Sequence, residues 1–162
     1  MFDFHTYLST LLQRNRLFRQ KGFKMLFVTG LDQINDIFAN LKNTVNFVAL
    51  ETISDGTLTT INTPQLERSH VVYIGMRYKV DDTAARQRCV ETQRNLFRQI
   101  CSVLHPYPIQ DADSLVYLDT DVRFQEIPEY SLNGAALFQF SITERQSIST
   151  EYNPDEWENE DI

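Results

Sequence analysis

A chain of 162 residues with 42% hydrophobic and 23% charged side chains is the size of one globular domain, since two separate cores would each be short of buried surface. No window reaches the ~18–20 consecutive apolar residues of a membrane-spanning helix, and the opening Met1-Phe2-Asp3-Phe4-His5 lacks the basic-then-apolar layout of a secretory signal. The net charge of −7 is concentrated at one end: Glu151, Asp155, Glu156, Glu158, Glu160 and Asp161 lie in the last twelve residues with no base, and taking these six from the 22 acids leaves 16 against 15 bases.

Residues 2–20 read as one amphipathic helix, with Phe4, Leu8, Leu11, Leu12 and Phe18 on one face. Arg14, Arg16, Arg19 and Lys21 crowd its second half, where cations oppose the negative end of the helix dipole. Gly22 then supplies a left-handed stop. A strand is expected over 23–29, and Ile34, Ile37, Phe38 and Leu41 mark a short helix capped by Asp32. A strand over 45–53 is followed by Ser54-Asp55-Gly56, whose turn chemistry predicts a hairpin into Leu58–Ile61. Residues 62–69, polar and containing Pro64, read as a loop.

Residues 70–79 are rich in β-branched and aromatic side chains and predict a strand with Tyr73, Arg77 and Lys79 on one face. Asp81 or Asp82 caps a long helix over Thr83–Leu104, which Pro106 and Pro108 stop. A polar linker leads to strands over 114–119 and 121–127, the second ended by Pro128. Asn133-Gly134 offers a turn into a last strand over 135–143, with Ala136, Phe138, Phe140 and Ile142 on one face. Helices do not alternate strictly with strands. The expected architecture is therefore α+β, a mostly antiparallel mixed sheet with the two longer helices packed on one face. It forms a single domain over 1–146, followed by an acidic tail over 147–162.

No catalytic arrangement is legible. The glycines at 22, 30, 56, 75 and 134 form neither GxGxxG nor GxxxxGK[ST], and no GxSxG elbow is present. His5, His70 and His105 are scattered and read as structural, with no metal-ligand spacing. Asp81/Asp82, Asp111/Asp113 and Asp119/Asp121 occupy turn and cap positions. Cys89 and Cys101, twelve residues apart on one helix, lie ~18 Å apart along its axis, beyond disulfide reach, and read as reduced thiols of a cytoplasmic protein. No enzyme activity, cofactor or metal is expected. A nearly neutral body with an acidic tail is a poor footprint for sequence-specific nucleic-acid binding, despite Arg14, Arg16, Arg19, Lys21 and Lys24 and the arginines at 86, 88, 94 and 98. Tyr152, Pro154 and Trp157 sit among the acids of the tail. A lone Trp in a polar end is best used as an anchor in a partner's pocket, so one expectation is a small intracellular protein-binding module with the tail as docking peptide.

Two stretches carry a family resemblance: Leu115-Val116-Tyr117-Leu118-Asp119-Thr120-Asp121-Val122-Arg123-Phe124, and the Gly-led closing strand Asn133-Gly134-Ala135-Ala136-Leu137-Phe138-Gln139-Phe140-Ser141. With the layout of residues 1–145 they resemble phage tail-terminator and tail-completion proteins, which cap a tail tube and join it to the head connector. The resemblance implies a structural, ring-forming homo-oligomer without cofactor or catalysis. Its partners would be other tail or connector proteins, and it would be found in the cytoplasm or the virion. The acidic tail is not part of that family's core pattern. The contact surfaces expected on this reading are the Tyr73, Arg77 and Lys79 strand face, Arg94 and Arg98 on the long helix, and Tyr152 and Trp157 in the tail.

Overall fold

The computed structural model describes residues 2–40, 46–104, 108–111, 114–131, 133–151 and 155. In chain order the elements are α1 (Phe4–Arg14), α2 (Arg16–Gln20), β1 (Lys24–Val28), α3 (Leu31–Asn40), β2 (Phe47–Glu51), β3 (Asp55–Thr59) and β4 (Gln65–Arg77). They continue with α4 (Thr83–Leu104), β5 (Ile109–Asp111), β6 (Ser114–Leu118), β7 (Arg123–Ser131) and β8 (Ala135–Ser147). The strands form one mixed sheet in the order β1-β2-β4-β8-β6-β5, with β3 also paired to β4 and β7 to β8. β1 and β2 run parallel, and the other pairings are antiparallel.

The sheet is organised by a long ribbon in which β4 and β8 pair from Arg77↔Ala135 to Gln65↔Ser147. Its inner half is flanked by β2 on one side and β7 on the other. Its outer half is flanked by β3, which pairs Gln65–Ser69, and by β6, which pairs Glu144–Gln146. Because side chains alternate along a strand, the inner half has two apolar faces. Leu8 and Leu12 of α1 and Leu96 and Ile100 of α4 pack on Val48, Leu50, Val72, Ile74, Phe138 and Phe140. On the other face Ile34 and Phe38 of α3 pack on Phe47, Ala49, Tyr73 and Leu137. The fold is thus α+β with the two longer helices on one face, as the sequence predicts, and the short α3 on the other.

Several local expectations are corrected. The predicted helix over 2–20 is two helices, because the backbone at Asn15 is extended (φ −77°, ψ 125°) and its side chain accepts from the Phe18 N–H to start α2. An Asn side chain offers the backbone that alternative to a continuous helix. Asp55-Gly56 does not turn; both residues lie in β3 and pair with β4 rather than β2. A Cβ on Gly56 would stand 2.6 Å from the Glu67 carbonyl oxygen, so this glycine serves close strand approach. The turn falls at 60–64, and the predicted loop at 65–69 is the start of β4. Asp32 lies in the first turn of α3 rather than capping it, and the Gln33 side chain accepts from the Thr29 N–H at 2.8 Å. Pro128 sits inside β7, at a register shift between Ile127 and Ser131, the irregular position where a strand tolerates proline. β5 was not expected at all. Asp82 does cap α4, accepting from the Ala85 N–H at 2.9 Å. β8 runs to Ser147, one residue past the expected domain end.

Candidate functional site

In the outer half, the face beneath α1 turns from apolar to polar. The period-two positions that carry Val72 and Ile74 continue back to His70 and Arg68, and those of Phe140 and Ile142 continue to Glu144 and Gln146. Arg68 and Glu144 stand directly opposite in the register. Arg68 Nε donates to Glu144 Oε1 at 2.5 Å, and its Nη2 donates to the Phe2 carbonyl at 2.8 Å. The His70 ring stacks on Phe4 with centroids 4.3 Å apart, and its Nε2 lies 3.5 Å from Glu144 Oε1. Gln146 Nε2 donates to Asp111 at 2.9 Å and to Ser114 at 2.5 Å. His70 is 3% and Glu144 2% exposed. Among the described residues no hydrogen bond reaches either His70 nitrogen or Glu144 Oε2.

A buried carboxylate beside an imidazole is half of an acid–base arrangement. Nothing nucleophilic completes it. Ser69 and Thr143 lie on the opposite face of the sheet and bond to each other at 3.0 Å, while Phe2 and Phe4 close the cluster from above. The arrangement clamps the start of α1 to the ribbon. Among the described residues no group of three or more His, Cys, Asp or Glu side chains could hold a metal ion. Cys101 is half-buried, and burial pushes its thiol up to about 11; burial also raises Cys89, against the opposing charges of Arg88 and Lys21. Neither thiol is activated as a nucleophile.

The outward face of the outer half is hydrophilic. Arg145 donates to Asp119 at 2.8 Å and also pairs with Glu67. Large apolar side chains are exposed at both of its edges: Ile53, Leu58 and Ile61 around β3, and Leu115 and Tyr117 on β6. The helical side carries a separate charge pattern. Arg86 pairs with Glu129, and Arg94 with Glu126 at 2.6 Å. By contrast Arg14, Arg16, Arg19, Lys21 and Lys24 are all exposed, and none makes a salt bridge within the described residues.

The expected contact residues are not one surface. Tyr73 is 2% exposed, packed beneath α3, and its hydroxyl donates to Glu51 at 2.5 Å; burial and the Glu51 carboxylate push its pKa well above the ordinary phenol value. It is a core residue and cannot contact a partner. Arg77 is half-buried and donates to the Phe38 carbonyl of α3. Lys79 is exposed beyond the end of β4, and Arg94 and Arg98 are exposed on α4. The strand face proposed for contact is covered because α3 lies across it. Tyr152 and Trp157 lie outside the described residues. The Arg68/His70/Glu144/Gln146 cluster was missed, although Arg68-Ser69-His70 and Glu144-Arg145-Gln146 carry a signal: polar residues that keep the period of the apolar run beside them.

No protein-family model matches this chain, and no curated protein matches it. No helix among the described residues is long and apolar enough to cross a membrane.

Proposed function

We propose that this chain is a non-catalytic assembly subunit that closes head-to-tail into a ring, the role implied by its resemblance to tail-terminator and tail-completion proteins. The observation that carries the reading is the pair of unlike apolar edges flanking the outer half of the ribbon. Leu58 and Ile61 are exposed at the β3 edge, and Leu115 and Tyr117 are exposed on β6 beyond the other side. Monomers seldom leave large apolar groups together on both margins of a sheet without a partner. Two different patches on opposite margins are what a heterologous, ring-closing interface requires, whereas a two-fold dimer uses one patch twice.

Light scattering with edge variants tests this. The wild-type chain is expected to form a closed oligomer of fixed mass. Leu58→Glu with Ile61→Glu, and separately Leu115→Glu with Tyr117→Glu, should each leave monomers. Mixing the two variants should restore one intact interface and give a species of two chains and nothing larger. A wild-type chain that stays monomeric at every concentration, alone and with tail-tube protein, removes the reading.

A further inference from the structure

We infer that the acidic aromatic tail docks on the basic α1–α2 surface of a neighbouring copy of this chain; the inference rests on the ring reading and names a contact within it. The charge pattern sets up the pairing. Five exposed cations, Arg14, Arg16, Arg19, Lys21 and Lys24, stand in the first 24 residues with Asp3 as the only acid there. The last twelve residues hold six acids and no base. Elsewhere Arg68, Arg86, Arg94 and Arg145 have found carboxylates within the fold. The α1–α2 cations have not. The nearest carboxylate on the neighbouring α4 stretch, Glu91, acts on Arg94.

The surface also offers an anchor point. Leu11, Leu12, Ile100 and Val103 line a cleft of about 260 Å³ between α1 and α4, with Arg14, Asn15 and Gln99 at its rim. It is apolar inside and cationic at its border, which suits a tryptophan flanked by carboxylates. Trp157, the only tryptophan of the chain, lies between Glu156 and Glu158.

Geometry decides between the chain's own tail and a neighbour's. Ser147 is paired with Gln65 at the outer end of the ribbon, while Lys24 pairs with Phe47, which pairs with Gly75. Ten residue rows of β4 therefore separate the start of the tail from the level of Lys24, about 33 Å at the ordinary strand rise. Trp157 is ten residues beyond Ser147, so its greatest reach is about 33–36 Å along a fully straight chain. A tail docking on its own body would have to be stretched taut over the sheet. In a head-to-tail ring the outer end of one copy meets its neighbour, and no such extension is needed.

Trp157 fluorescence, read beside light scattering across a dilution series, tests the contact. In the assembled wild-type chain the emission should be blue-shifted, reverting on dilution to monomers and in high salt, which screens exposed charge pairs. The variant Arg16→Glu/Arg19→Glu/Lys21→Glu alters exposed residues only and should keep its far-ultraviolet dichroism. It should lose the shift and assemble at least about tenfold more weakly, because like charges then face each other. Adding Glu156→Lys, Glu158→Lys and Glu160→Lys in the same chain should restore both. An assembled chain with solvent-like emission overturns the contact and leaves the ring standing. A shift that survives dilution to monomers places the tail on its own body and also overturns it. A chain that never assembles defeats the ring and this contact together.

Discussion

The two halves of the β4–β8 ribbon are built from the same two strands in one continuous register and held by different physics. In the inner half Val72, Ile74, Leu137 and Phe138 are buried on both sides, under α1 and α4 on one face and α3 on the other. In the outer half only one face is covered, and it buries Arg68, His70, Glu144 and Gln146, while the other presents Glu67, Ser69, Thr143 and Arg145. The difference bears on how the register is chosen. A one-residue slip would turn every side chain to the wrong face and is excluded by burial alone. A slip of two residues keeps each side chain on its face, so apolar packing discriminates against it only through shape. It would, however, separate Arg68 from Glu144 and Gln146 from Asp111, and leave buried polar groups without partners.

The largest effect expected is in the inner half. Phe138 is 1% exposed and lies 4.9 Å from the Phe97 ring and 5.4 Å from the Phe124 ring, centroid to centroid. Phe138→Ala should destabilise by about 3–5 kcal/mol, the usual cost of a truncated core aromatic, read as a lower urea midpoint at unchanged slope. The outer half answers to charge instead of volume. Glu144→Ala leaves Arg68 and His70 facing an empty position and should cost about 3 kcal/mol, the lower end for breaking a buried pair, since Arg68 keeps its bond to the Phe2 carbonyl. Glu144→Ala with Arg68→Met should recover much of that loss in a double-mutant cycle. Additive losses would mean that the two residues act separately and that the clamp is not what holds the outer half.

The same contrast explains what could be read in advance. α4 was legible to the residue, from Thr83 to Leu104, because a cap, an apolar stripe and two following prolines agree. The inner strands were legible because Val71–Ile74 and Ala136–Ile142 are apolar at the right period. The start of β4 was not, because Gln65-Leu66-Glu67-Arg68-Ser69 has the composition of a loop and becomes a strand only when partners stand on both sides, β3 and β8. Asp55-Gly56 has strong local turn chemistry that the tertiary pairing overrides. Tyr73 was misjudged for a related reason: its polar hydroxyl suggested a surface, and Glu51, which satisfies that hydroxyl from β2, is remote in sequence. The unlike edges of the sheet are absent from any local pattern, since edges exist only once the strand order is known.

The smallest effect separates the halves by acid titration. The Thr6 hydroxyl, with the Thr6 and His5 backbone N–H groups, holds the Asp3 carboxyl below its ordinary value of 3.8. The Arg94 guanidinium holds Glu126 below 4.5. In each case the folded chain binds the proton less readily than the unfolded one, so the contribution is complete above those ordinary values and drains away as pH falls through the lowered folded ones. Asp3→Ala should cost about 1 kcal/mol at neutral pH, as the loss of an N-cap does, and this gap from wild type should close below pH 3.8. Since Asp3 caps the helix whose first turn, through Phe4, covers His70, the gap should appear in hydrogen exchange at α1 and the outer strands. Glu126 ties β7 to α4 beside the inner half, and Glu126→Gln should leave exchange in the outer strands unchanged. If Asp3→Ala instead raises exchange equally along all of β4 and β8, the two halves open as one unit and the division drawn between them is structural without being energetic.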